Sequence, residues 1–462
     1  MKAIDFLSPL RRYRLDRAAE PVQVTLDPHD PGVTRVHLIP LKARLWKRSP
    51  SQVLINGWHM FLIGPSWADL MRTFMLILNR EAEPGQSISD ELLQKILDQV
   101  VEELHRYYPG VSAETFKKDL DEIVSLFIAV AHGGPIPDKL QSNVTFDQLK
   151  KNMTAPHRMD LLISPMLVGE EWQCPLHCRG CYAASQAGMQ IEKELTTDEW
   201  KTIIDRCREA GIPQLTFSGG EPTQRADLVE LVHHAEWHVT RLNTNGLNLT
   251  ADLCRDLEKA NLDGVQVTLY SHDHATHDRL VGKLGAWVQT VKGIQNALKA
   301  GLSVSVNTPL VKLNADYPST LKTIKSLGVK YVTCSGLITA GKAPALIKGG
   351  ESLESTELLE VLRNANETSQ SLGMDLTFTS PGWLTNEQLE SIGLSNPICG
   401  ACLSNMAVMP NGAVTACQSW LDNPDGFGNL LTTPWEEIWN HPQCGKMRRG
   451  EPEGCPLQEN LK

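Results

Sequence analysis

Three cysteines share eight residues of this chain, in the run Cys174-Pro-Leu-His-Cys178-Arg-Gly-Cys181. Thiolates at CxxxCxxC spacing on one loop can converge on three corners of an iron–sulfur cube. The fourth iron then lacks a protein ligand and can bind a substrate, the open position that separates a catalytic metal site from a closed structural one. A zinc loop would pair a CxxC with a second pair nearby. Here no cysteine or histidine follows Cys181 until Cys207, inside a predicted helix, so the cluster is the preferred reading.

The other cysteines sharpen it. None of the 11 precedes residue 174, Cys207, Cys254 and Cys334 are scattered, and Cys399, Cys402, Cys417, Cys444 and Cys455 close the chain. Cysteines used only as small apolar residues would not cluster so. Cys207 and Cys254 fall on helical patterns and read as buried packing. Cys334 ends a strand on the side of the site. His272, His274 and His277 are interleaved with Asp273 and Asp278 and read as a solvated loop.

These residues need a scaffold. From 159 onward, short β-branched or apolar runs (161–163, 214–217, 239–242, 264–269, 302–306, 330–333) alternate with amphipathic helical segments (197–210, 228–236, 286–300, 317–327). Such alternation predicts βα units and a parallel sheet, about six units forming an open, partial (β/α)6 TIM barrel with its site at the C-terminal strand ends. Ser218-Gly-Gly-Glu-Pro222 ends the second strand. Its glycines permit close backbone approach, and Glu221 offers a carboxylate to an ammonium group.

Upstream, 36–45 and 53–63 read as two strands joined by 47–51, followed by helices near 65–80, 89–107 and 113–132 with polar caps at Ser89 and Ser112. The expected organisation is an N-terminal extension (1–30), a winged-helix-like α+β domain (31–135), a linker (136–158), the barrel (159–385) and a C-terminal Cys-rich domain (386–462).

Bulk properties bound the function. The 462 residues carry a net charge of −10 and 41% hydrophobic residues, enough for about three domains. An acidic chain with no Lys/Arg run is a poor match for a phosphate backbone, so no nucleic-acid partner is expected. No apolar run reaches the ~18 residues a membrane span needs. The first 18 residues lack the apolar core of an export signal, so a reducing, cytoplasmic location is expected and the cysteines point to metal chemistry rather than disulfides.

Taken together, CxxxCxxC after the first strand and GGEP some 40 residues on resemble the radical S-adenosylmethionine (SAM) superfamily across 159–345. The resemblance implies a 4Fe–4S cluster on Cys174, Cys178 and Cys181 that cleaves SAM to a 5′-deoxyadenosyl radical. It implies SAM contacts at Gly219, Gly220 and Glu221 (the amine), Asn245 in Thr244-Asn-Gly246, Ser271 and Asn307. Many members place an adenine-stacking aromatic before the last cysteine; here that residue is Gly180, with Tyr182 just after the cysteine as the candidate contact. No catalytic acid, base or nucleophile is assigned.

The tail resembles the auxiliary-cluster extension called SPASM, or its shortened form, twitch, through Gly412–Cys417 and Trp435-Glu-Glu-Ile-Trp-Asn440. Full SPASM domains hold two auxiliary clusters and need more cysteines, so one auxiliary 4Fe–4S cluster is expected, on Cys399, Cys402, Cys417 and Cys455, with Cys444 the alternative fourth ligand. The N-terminal pattern resembles the precursor-peptide recognition domain of enzymes that modify ribosomally made peptides. The implied function is a peptide maturase (thioether, epimerisation, crosslink or backbone excision) served by a flavodoxin- or ferredoxin-type donor. A radical enzyme acting on a tetrapyrrole or sugar, and a non-catalytic zinc or iron–sulfur module, are the alternatives.

Overall fold

The computed structural model describes residues 21–26, 35–40, 51–57, 59–82, 88–132, 134, 150, 153–188, 191, 193–421, 426–450, 455 and 457. The chain divides into two compact units, residues 1–155 with 208–213, and residues 156–207 with 214–462.

In the first unit, β1 (Val22–Thr25), β2 (Arg35–Pro40), β3 (Ser51–Ile55) and β4 (His59–Ile63) form an antiparallel sheet in chain order. The stretch 53–63, expected as one strand, is a hairpin turned at Asn56 and Gly57, whose φ angles of 52° and 71° are the positive values an Asn-Gly turn supplies. β1 falls in the expected extension 1–30 yet pairs with β2. Helices α1 (Pro65–Glu81), α2 (Asp90–His105) and α3 (Ala113–Ala131) follow. Ser89 and Ser112 cap the last two by accepting the Leu92 and Thr115 N–H groups. The apolar stripes of all three close on the sheet, burying Val36, Val53, Ile55, Met71, Ile96 and Phe127. Most of the expected linker 136–158 lies outside the described residues.

The second unit is built on a nine-stranded sheet, order β13-β12-β11-β10-β9-β8-β5-β14-β15. Its strands are β5 (Arg158–Ser164), β8 (Gln214–Gly219), β9 (Val239–Thr244), β10 (Gly264–Thr268), β11 (Ser303–Pro309), β12 (Tyr331–Ser335), β13 (Asp375–Phe378), β14 (Asn405–Val408) and β15 (Val414–Thr415). All pairings from β14 to β13 are parallel and β14–β15 is antiparallel. The ribbon β6 (Leu167–Val168) and β7 (Glu171–Trp172) stands apart. Since β13 and β15 are edges, the barrel is open, as expected. Among the described residues it has two parallel strands, β13 and β14, beyond the six read from sequence.

Helices α4 (Thr197–Glu209), α5 (Leu228–His234), α6 (Ala251–Lys259), α7 (His274–Val281), α8 (Ala286–Lys299), α9 (Tyr317–Ser326), α10 (Ala343–Lys348) and α11 (Ser355–Ser371) intervene, with α12 (Asn386–Glu390), α13 (Trp435–Trp439) and α14 (Pro442–Arg448) after β13. Strands alternate: Val304, Val306 and Thr308 of β11 are buried, while Ser305 and Asn307 are not. One face thus packs on helices and the other presents polar side chains. Among the described residues no helix is long and apolar enough to cross a membrane.

Candidate functional site

The cysteine loop leaves the β6–β7 ribbon and is gripped from two sides. On one side, the His177 and Arg179 N–H groups donate to Val281 and Leu280 carbonyls at 3.0 and 2.9 Å. Gly282 (φ 73°) allows this approach, since a Cβ there would stand 2.9 Å from the His177 carbonyl. On the other, the Lys342 N–H donates to the Cys181 carbonyl at 3.0 Å, and a Cβ on Gly341 would lie 2.3 Å from that oxygen. Arg179 forks onto Glu351 at 2.6 and 2.7 Å, the bidentate geometry that fixes orientation. The Trp172 indole donates to Leu176 O at 3.0 Å, stacks on His177 and carries Lys342 Nζ 4.5 Å above its ring.

Cys174 and Cys178 pack against the apolar cluster of Leu176, Leu280, Val281, Leu337 and Leu346. Burial pushes the Cys174 thiol up to about 12, with Glu221 and Cys181 adding to the rise. Cys178 and Cys181 are also raised by burial; Cys178 rises further beside the other two thiols, and Lys342 opposes both shifts. Three neighbouring half-buried thiols persist as thiolates when a cationic metal group offsets their charge.

Glu221, buried, closes the ring around this loop. Its Oε1 accepts the Thr223 N–H (3.0 Å), the Thr223 hydroxyl (2.6 Å) and the Thr244 hydroxyl (2.6 Å), and its Oε2 accepts the Asn245 N–H at 2.8 Å. Burial raises its pKa, against these bonds. Asn245 turns Oδ1 to the Leu247 N–H, which leaves Nδ2 buried without a hydrogen bond. The amide lies close enough to Cys174 to favour its thiolate.

The glycines before Glu221 serve the neighbouring strand. Gly219 (φ 137°) would put a Cβ 2.3 Å from Ser164 O, and Gly220 one 2.8 Å from Pro165 O. The Gly220 N–H donates to Ser164 O at 2.6 Å, where β5 and β8 shift register. A Cβ on Gly180 would lie 2.9 Å from Leu337 Cδ2, so a larger residue there needs that leucine to shift. Ser271 Oγ accepts the Asp273 N–H at 3.1 Å, and Asn307 Oδ1 accepts the Thr333 hydroxyl at 2.8 Å. The Tyr182 hydroxyl donates to Gln418 Oε1 at 3.1 Å.

The five late cysteines gather around the β14–β15 hairpin. Cys402 adopts a left-handed backbone (φ 55°), strain of the kind concentrated at functional sites, and its N–H reaches Asn405 O and Ala416 O. Cys399 and Cys455 share a hydrogen bond that lowers the Cys399 thiol and raises that of Cys455. Burial raises Cys417 to about 11, with Cys399 adding to it. Cys402 bonds Cys444 instead, which lowers Cys444. Arg448 Nη1 stands 2.9 Å from Cys444 Sγ and over the Trp439 ring. The Thr339 hydroxyl donates to Leu457 O, tying the tail to a loop after β12.

Two expectations need correction. His277 is fully buried on α7, with Nδ1 accepting the Tyr270 N–H at 3.2 Å, so 272–278 is no solvated loop. Alternation turns Cys334 to the buried face with Val332, beside Tyr317 of α9, away from the site. The stretch after β10 is helical because Asp273 caps it by accepting the Thr276 N–H. Cys207 and Cys254 are buried on helices as expected. Arg179, Gly341, Lys342, Glu351 and Gln418 escaped the sequence reading; only the nearness of Gln418 to Cys417 was a signal.

The donor set and its surroundings fit iron–sulfur ligation. Among the described residues no three His, Cys, Asp or Glu side chains close on a single-ion site, so the fit rests on thiol chemistry, the two-sided grip and the orphan Asn245 amide. Residues 173–324 match the family model of the radical SAM superfamily, and residues 399–457 that of an iron–sulfur cluster-binding domain, SPASM. The chain thus carries a radical SAM domain followed by a SPASM domain. It is a radical SAM enzyme with a 4Fe–4S cluster, an auxiliary cluster and SAM as cofactors.

Its relatives divide by substrate. Fe-coproporphyrin III synthase of Methanosarcina barkeri is 29% identical over 292 residues, 58% of this chain and 71% of that one. PqqA peptide cyclase of Streptomyces rochei is 37% identical over 155 residues, 33% of this chain and 42% of that one. Streptococcus suis SuiB bound to precursor peptide SuiA shares the fold, with a TM-score of 0.57 and 13% identity over 86% of this chain and 87% of that one.

Proposed function

We propose that this radical SAM enzyme modifies a ribosomally made precursor peptide, in the cytoplasm, with electrons from a flavodoxin- or ferredoxin-type donor. The observation that carries the reading is the first unit. It is a small sheet ending in the edge strand β4, with three helices, and Phe61 of β4 meets Phe127 of α3 edge-on at 5.6 Å. A sheet edge beside a helix is a surface on which an extended peptide adds as a further strand. A PqqA peptide cyclase among the relatives and the peptide-bound SuiB fold support the reading.

The cluster and SAM together supply one-electron cleavage of a sulfonium. The chain's own residues position and shield. Cys174, Cys178 and Cys181 hold the first cluster; Gly219 and Gly220 shape the strand end. Glu221, with only one hydrogen bond on Oε2, takes the SAM ammonium, and Asn245, Ser271 and Asn307 line the remainder. Cys399, Cys402, Cys417 and Cys455 hold the auxiliary cluster, and Cys444 is the partner of Cys402. Hydrophobic walls from Leu176, Leu337 and Leu346 exclude water from a radical.

The test is a peptide encoded in a short frame beside the gene. Expected are binding to the full chain and a mass change that requires SAM and reductant. Turnover of a tetrapyrrole with no peptide binding would favour the second reading, which the Fe-coproporphyrin III synthase relative supports.

A further inference from the structure

Tyr182 and Gln418 lie 236 positions apart, and each follows a cysteine: Tyr182 the last of the first group, Gln418 the hairpin cysteine of the second. Their 3.1 Å hydrogen bond therefore joins the two cysteine groups directly. Both ends are held. The Lys342 N–H holds the Cys181 carbonyl at 3.0 Å, Gly341 packs so close that a Cβ there would stand 2.6 Å from Tyr182 O, and Ser185 Oγ donates to that oxygen at 2.8 Å. At the far end the Thr415 hydroxyl donates to Trp420 O at 2.6 Å, and the Cys402 N–H reaches Ala416 O.

We propose that Tyr182 and Gln418 form a strut that fixes the auxiliary cluster relative to the SAM cluster, making Tyr182 a positioning residue for electron exchange between them rather than an adenine contact. This rests on the reading that Cys417 is an auxiliary ligand. Cluster potentials depend on hydrogen bonds and solvent around the ligating sulfurs. Removing the phenol oxygen leaves the Gln418 carbonyl unpaired next to Cys417, so the amide reorients or takes up water there.

The experiment uses the full chain, reconstituted anaerobically, as wild type, Tyr182→Phe, Gln418→Leu and the double variant. Iron content, SAM affinity, the electron paramagnetic resonance spectrum and the midpoint potential of the auxiliary cluster are measured. Expected are unchanged iron and SAM affinity, a shifted potential and spectrum in both single variants, and no further shift in the double, the non-additivity of a shared contact. If one single variant loads poorly, the other carries the comparison. Unmoved potentials in the single variants, shifts that add, or weakened SAM binding in Tyr182→Phe alone overturn the strut. Cys417→Ala separates this from the underlying reading. Loss of about four irons with unmoved strut variants leaves the auxiliary cluster standing without the strut, whereas no loss of iron removes both.

Discussion

The Glu221 carboxylate is fastened to Asn245, accepting its backbone N–H at 2.8 Å while also holding the Thr244 hydroxyl. One side chain thus ties the end of β8 to the end of β9 and faces Cys174 across the same pocket. A residue expected from sequence as a ligand contact is also the knot of the strand ends.

Glu221→Gln puts an NH2 among groups that all donate. Losing hydrogen bonds to a buried charge costs about 1.5–3 kcal/mol each at most, so a net loss of about 2 kcal/mol is expected, together with weaker SAM binding. Urea unfolding of the SAM-free chain and calorimetric SAM titration check the two effects. Intact stability and affinity would contradict the assignment.

Gly219→Ala forces a side chain against Ser164 O from a backbone angle that only glycine adopts readily. Strain of this kind costs of order 1–3 kcal/mol. The expected outcome is a lowered melting temperature and weakened SAM binding with full iron content, because the cysteine loop is held elsewhere. A variant that binds SAM normally would show that the crossing of β5 and β8 does not shape the pocket.

Burial lowers His277 from 6.5 to about 4. Between these values the unfolded chain binds a proton that the folded chain refuses. Stability is full above the unfolded value and falls as pH drops through the window, by roughly 2 kcal/mol between about pH 7 and about pH 5. His157, likewise lowered to about 4 by burial, adds its own share. Unfolding of His277→Gln at the two pH values should show a flatter dependence than wild type; an identical slope would remove His277 as a cause.

Much of this was legible beforehand. The βα alternation places four of the six expected strands within two residues at each end, because parallel strands buried between helices read as apolar runs. CxxxCxxC and GGEP located the site because their chemistry is local. What sequence hid was long-range. The Arg179–Glu351 fork spans 172 positions and the Tyr182–Gln418 bond 236, and nothing local marks either pair. His277 was misread because its acidic neighbours mask a single buried face. β13, four residues long, has too little period to register, and the apolar run 53–63 masks the Asn56-Gly57 turn that divides it.

The most direct test of the account is 5′-deoxyadenosine formation, with iron counting, on the anaerobically reconstituted chain and its Cys178→Ala variant under dithionite and SAM. About eight irons per chain and formation of 5′-deoxyadenosine are predicted for the wild type, with about four irons and no product for Cys178→Ala. A Cys178→Ala chain that still forms 5′-deoxyadenosine, or a wild type that carries zinc at its late cysteines, would contradict it.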